Sequence, residues 1–201
     1  MKNLSVLITL VLVVFSCSQK KTPLIGDTPF QKKINAEFKD ASTSPLKPID
    51  IKSFKSLDFY KYDADYVVSA TLKRTPDSEY FDMKTTTDRL TKSRVYGVIT
   101  FNLKGKTYQL NVYRDKELIT TEGFENYLFL PFLDDTNGES TYGAGRYIDL
   151  KIPEGNTLTV DFNSAYNPYC AYDEKYSCPI VPNENYLATT IEAGVKKYNK
   201  Y

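Results

Sequence analysis

The chain contains no histidine and no tryptophan. Without histidine it lacks the commonest general base, the usual activator of a serine or cysteine nucleophile, and the commonest zinc ligand. Any catalysis would run on carboxylates, Tyr, Lys, Arg or a bound metal. An excess of one charge is also missing, with 26 Lys and Arg against 25 Asp and Glu. The two signs are intermixed, so there is no basic footprint for a nucleic acid and none is expected as a partner. Cysteine is scarce, at three residues. The longest apolar stretch, Leu4 to Phe15, falls short of the roughly 20 residues that a membrane-spanning helix needs.

That stretch fits an export signal instead. Met1-Lys2-Asn3 supplies a positive charge, and the apolar run ends in Val14-Phe15-Ser16-Cys17. An aliphatic residue at −3 and a small one at −1 before Cys resembles a bacterial lipobox. The resemblance implies removal of residues 1–16 and lipidation at Cys17, with the lipid as the membrane anchor. Ser18-Gln19-Lys20-Lys21-Thr22-Pro23 is polar and Pro-containing, so residues 17–27 read as the lipidated Cys and its tether. No acidic cluster follows Cys17, which places the expected anchor in the outer membrane, facing the periplasm.

Residues 28–201 suit one domain with a sizeable core. Thr28 and Pro29 open a helix over 28–40, in which Phe30, Ile34 and Phe38 form one apolar stripe. A second short helix fits Ile49 to Ser56. From there the pattern turns to strands: 66–72, 80–87, 95–103, 108–112, 127–133, 147–152, 158–162 and 186–191. The clearest signal is the alternation of Val95, Gly97, Ile99, Phe101 and Leu103, a turn at Lys104-Gly105-Lys106, and returning alternation at Tyr108, Leu110 and Val112. Period-two patterning on both sides of a Gly-containing turn is a hairpin. Pro153-Glu154-Gly155-Asn156 is a second turn, and residues 163–185 form a long loop. These elements predict a mostly β fold, an antiparallel barrel or sandwich with an N-terminal helix.

Candidate chemistry gathers in two segments. In 130–147, Asp134 and Asp135 are paired acids of the kind that hold hard cations. The EF-hand spacing is not met, however, and a turn whose acids accept backbone N–H bonds is favoured, with no metal or other cofactor assigned. Arg146, beside Gly143 and Gly145, can either grip an anion with its planar fork or clamp Asp149 or Asp161. In 161–178, Asp161, Asn163, Tyr166 and Asn167 lead into Cys170 and Cys178. A buried Asp161 has to be paired or hydrogen-bonded, either as a catalytic acid or, more simply, as an anchor for the loop. Cys170 and Cys178 are the cysteines left after lipidation, and an even count in an oxidising compartment reads as a disulfide. A metal pair would lack histidine partners, and a redox pair would lack the C-x-x-C spacing.

The segments LFLPFLDDTNGESTYGAGRYIDL, DFNSAYNPYCAYDEKYSCPIVPNENYL and IEAGVKKY resemble an uncharacterised bacterial family, domain of unknown function 1684, in its short lipoprotein-type members. The resemblance spans roughly 28–201 and departs at Ala144, where the family more often has Gly. It implies that Asp161, Asn163, Tyr166, Asn167, Cys170 and Cys178 belong to a shared pattern. It supplies no activity and no catalytic residue. Three readings follow: an envelope module that binds a small ligand or a protein partner, a purely structural envelope protein, and a carboxylate- or metal-dependent hydrolase. The first is preferred, because no nucleophile constellation is present.

Overall fold

The computed structural model describes residues 23–198. The expected signal segment, Cys17 and the first part of the tether lie outside the described residues. The first helix, α1 (Pro29–Lys39), is fixed by a reciprocal cap. Thr28 Oγ1 accepts from the Gln31 N–H at 3.2 Å, while Gln31 Oε1 accepts from the Thr28 N–H at 3.2 Å. Its buried residues Ile34 and Phe38 join Leu46, Leu57, Phe59, Tyr172 and Val195 in a small core of their own. The Phe38 ring meets Tyr172 edge-on, with centroids 4.7 Å apart. The second helix, α2 (Pro48–Ile51), is shorter than expected, and no side chain caps it. No helix among the described residues is long and apolar enough to cross a membrane.

Among the described residues eight strands form one sheet: β1 (Val67–Arg74), β2 (Phe81–Lys84), β3 (Leu90–Leu103), β4 (Lys106–Asp115), β5 (Tyr127–Asp134), β6 (Arg146–Lys151), β7 (Thr157–Asp161) and β8 (Tyr186–Leu187). Their order is β6-β5-β4-β3-β1-β7, with β2 beside part of β3 and β8 parallel to β5. The sheet is otherwise antiparallel and curls into a half-barrel. The expected mostly β, antiparallel fold with a helix near its N-terminus is the one observed. It remains half open because β6 and β7 end the strand order. The β3–β4 hairpin turns on Lys104 and Gly105, both at positive φ (49° and 77°), the geometry that matches the twist of the flanking strands. A bulge at Tyr96 interrupts the register between Val95 and Gly97.

Side chains alternate across a strand, and this decides where the site can be. Leu128, Leu130 and Phe132 of β5, with Ile148 and Leu150 of β6, face the main core together with Leu72, Ile99, Leu110 and Val160. Tyr127, Phe129, Tyr147 and Asp149 therefore share the opposite face of the same two strands. The last expected strand, 186–191, is cut to two residues because polar groups beyond it are taken by side chains rather than by a neighbouring strand. Ile191 N–H donates to Asp134 Oδ1 at 3.1 Å, and Ile191 O accepts from Arg146 Nη2 at 2.8 Å.

Candidate ligand-binding site

Most of the conspicuous motif residues serve the fold. Arg146 Nη2 meets Asp134 Oδ2 at 2.9 Å, and both side chains are fully buried. Asp134 Oδ1 also accepts from the Thr136 N–H (2.9 Å) and Thr136 Oγ1 (2.6 Å), while Arg146 donates to Ala193 O and lies over the Phe132 ring. Burial pulls the Arg146 pKa down and the Asp134 charge opposes that shift. The pair ties the 134–146 loop to the C-terminal segment and leaves neither residue free for a ligand. The expected alternatives, Asp149 or Asp161 as partner of Arg146, are corrected on geometry: Asp149 sits on the other face of β6. Gly145 is set by backbone rather than by an anion, since its φ is +93° and a Cβ there would come within 2.7 Å of Phe132 O.

Asp135 points away from Asp134 and accepts from the Tyr186 hydroxyl, so the two adjacent acids do not converge on a cation. Among the described residues no cluster of three or more metal-ligating side chains occurs. Asp161 accepts from the Asn163 N–H and Asn163 Nδ2, each at 2.9 Å. Asn163 is buried and clasps the backbone of Asp63, with Oδ1 accepting from its N–H at 3.0 Å and Nδ2 donating to its carbonyl at 2.9 Å. Asn167 is buried and donates to Lys196 O at 2.9 Å. Asp161, Asn163 and Asn167 are thus loop anchors. Of the expected ligand residues, Tyr166 lines the aromatic cavity described below, and Asp161 lines a separate one beside Thr28, Pro29 and Tyr62.

Cys170 and Cys178 are brought together as expected but stand as free thiols, which corrects the expected disulfide. The Cys170 N–H donates to Cys178 Sγ at 3.1 Å, and the Cys178 N–H donates to Thr86 Oγ1 at 3.1 Å. The two thiols titrate as a pair. A hydrogen bond from Cys178 pushes the Cys170 thiol down to about 6, and the same bond holds the proton on Cys178.

The cavity lies on the β5–β6 face away from the main core, beneath α1 and the 166–179 loop. It encloses about 380 Å³, and its walls include Phe30, Tyr127, Tyr147, Tyr166, Tyr169 and Tyr176. That volume is in the range of small-molecule pockets, about 300–1,000 Å³. Asp149 stands among these rings, solvent-accessible. Its Oδ1 accepts from the Tyr127 hydroxyl at 2.8 Å and the Tyr166 hydroxyl at 2.6 Å. Burial pushes both phenols well above their ordinary range, and the Asp149 charge adds to the rise. Both therefore remain protonated donors, and the carboxylate is held from two sides. Tyr147 donates to Pro179 O, and its backbone exchanges hydrogen bonds with Tyr166 at 2.9 and 3.0 Å. A second cavity of about 470 Å³ shares the wall of Tyr127, Tyr147, Tyr166 and Pro179 and brings Arg89, Asp115 and Glu117 to its rim.

Sequence reasoning missed Asp149 and Tyr127 as site residues. The signal was present in the strand alternation: Tyr127 and Phe129 on β5 pair with Lys151 and Asp149 on β6, which puts an acid among aromatics on one face. It also missed Asn185, a fully buried residue whose side chain donates to Asn111 O (2.9 Å) and Pro131 O (2.6 Å) and so fastens β8 beside β4 and β5.

Comparison with known proteins adds a family and a fold. The family described as Protein of unknown function (DUF1684) matches residues 52–196. The chain is also similar to a solved structure, the solution NMR structure of the uncharacterized protein from gene locus rrnAC0354 of Haloarcula marismortui. The two are 32% identical, with a TM-score of 0.65, over 82% of this chain and 89% of the other. None of the curated proteins matches the chain.

Proposed function

Because the chain belongs to the family described as Protein of unknown function (DUF1684), whose description carries no activity, we propose a function from its own geometry: a lipid-anchored envelope module that binds a small ligand in the tyrosine-lined cavity around Asp149. The observation that carries the binding reading is a carboxylate held by two phenols, Tyr127 and Tyr166, inside an accessible aromatic cavity. Pockets that are mostly apolar with a few convergent polar groups are the usual form of ligand sites. The envelope reading rests on sequence: Lys2, the apolar run from Leu4 and the Val14-Phe15-Ser16-Cys17 motif. It puts the lipid on Cys17 and the domain at the outer membrane, facing the periplasm.

The hydrolase reading is weaker on the same geometry, since Asp134, Asp161 and Arg146 are engaged in internal hydrogen bonds. The purely structural reading accounts for those residues but gives the Asp149 cavity no role.

Two measurements test the proposal. Mass analysis of the full chain made in a bacterial host should give an acylated N-terminal fragment beginning at Cys17, and Cys17→Ala should abolish membrane association. An unmodified, soluble wild-type chain would overturn the anchor. An NMR screen with small cationic, anionic and neutral fragments should shift Tyr127, Tyr147 and Tyr166 resonances first. If no fragment of any charge moves them, the binding reading fails.

A further inference from the structure

The cavity has an electrostatic character that selects among ligands. Asp149 Oδ1 is occupied by two phenol donors, while Oδ2 has no hydrogen-bond donor among the described residues. No Lys or Arg lies within ion-pair distance of Asp149 there. The Lys33 ammonium at the cavity edge faces Glu37 at 3.7 Å, so those two charges offset each other. In the adjoining cavity, the Arg89 guanidinium is already used on Ser177, donating to its carbonyl at 2.7 Å and its hydroxyl at 3.0 Å, and Asp115 and Glu117 share that lining. Each lining therefore carries one acidic charge more than its basic charges. The walls are tyrosine and phenylalanine rings, whose faces are electron-rich and attract cations.

We infer that the Asp149 cavity binds an organic cation of the alkylammonium type, with its charge at Asp149 and its apolar body against the Tyr127, Tyr147, Tyr166 and Tyr169 rings. This inference rests on the binding reading given above and names the ligand class for that site. An anion would meet the Asp149 carboxylate, and the Lys33 ammonium at the cavity edge already faces Glu37. A neutral polyol would find an acceptor at Oδ2, but it would not engage the ring faces electrostatically. The two phenol donors also fix the carboxylate in place, so the charge stands in position before the ligand arrives and little ordering is left to offset on binding.

The probes are choline and its uncharged carbon isostere, 3,3-dimethylbutan-1-ol, titrated separately into the full chain and followed through the tyrosine ring resonances. Choline should bind roughly tenfold more tightly than the isostere, the gain expected of a partly desolvated cation among aromatic rings. Raising the salt concentration should weaken choline and leave the isostere unchanged. Asp149→Asn keeps an acceptor for the two phenols and should remove the preference for choline. Tyr169→Ala, in an exposed ring that no strand depends on, should weaken choline as an independent check should Asp149→Asn fold poorly. Equal binding of the two probes, or binding unaffected by Asp149→Asn, would overturn the cation assignment while leaving a ligand site in place. Absence of any shift with either probe would also overturn it, and the broader fragment screen then decides separately whether the cavity binds anything.

Discussion

Arg146 and Asp134 meet at 2.9 Å with both side chains fully buried. Asp134 is the last residue of β5 and Arg146 the first of β6, so the contact closes the loop between them. The bonds from Arg146 to Ile191 O and Ala193 O carry the closure on to the C-terminal segment. Removing one partner leaves the other charge buried and uncompensated. Arg146→Met should therefore destabilise the fold by about 3–5 kcal/mol, read by chemical denaturation. A loss below about 1 kcal/mol would show that the pair is not what holds the segment.

A neutral clasp does similar work on a smaller scale. Asn185→Ala removes the donors to Asn111 O and Pro131 O and the acceptor for the Asn111 N–H at 2.9 Å. Leaving buried backbone groups unpaired costs about 1–3 kcal/mol. Hydrogen exchange should show β8 and the adjoining part of β4 opening first in this variant.

The sequence made such clasps visible as residue types but not as partners. Strand positions and the α1 cap follow from local chemistry, in Thr28, Pro29 and the alternation from Val95 to Val112. Contacts made across great separations in the chain do not. Asp134 finds Ile191, 57 residues on, and Asn163 finds Asp63, 100 residues back. A residue read as a possible ligand contact looks the same, in sequence, as one that anchors a loop. The cavity was hidden for a different reason. Its residues come from α1, two strands and two loops, and only the pairing of β5 with β6 shows that Tyr127 and Asp149 share a face.

Burial of neutral phenols predicts an alkaline limit to stability. Tyr127, Tyr147, Tyr166 and Tyr172 all have pKa values raised above 10, with desolvation the largest cause. The folded chain then keeps protons that the unfolded chain releases above about pH 10. Their contribution is fully present below pH 10 and is lost as pH rises beyond it. Ultraviolet titration should show these four absent from the ordinary transition near pH 10, ionising only as the fold is lost. A single smooth transition of all tyrosines in a chain that stays folded would contradict their burial.

The thiol pair predicts selective reactivity. Cys170 is partly exposed and its pKa is lowered to about 6, with the hydrogen bond from Cys178 as the largest cause, whereas Cys178 is buried and keeps its proton. Iodoacetamide should label Cys170 well before Cys178, with a rate that rises through about pH 6 and has levelled by neutral pH. Cys178→Ala removes the donor and should move that rise upward, toward the ordinary thiol range. An unchanged profile in the variant would assign the lowering to some other neighbour.

The most direct test of a division between fold-holding and ligand-facing acids is a paired denaturation of Asp134→Asn and Asp149→Asn. Asp134 is buried with both oxygens engaged, and Asp149 is accessible, lines the cavity and has no donor to Oδ2 among the described residues. Asp134→Asn leaves the Arg146 charge buried and uncompensated and should cost about 3–5 kcal/mol, whereas Asp149→Asn keeps an acceptor for the Tyr127 and Tyr166 hydroxyls and should cost no more than about 1 kcal/mol. Equal losses, or the larger loss at Asp149, would make the cavity carboxylate part of the scaffold and leave the ligand site without its charge.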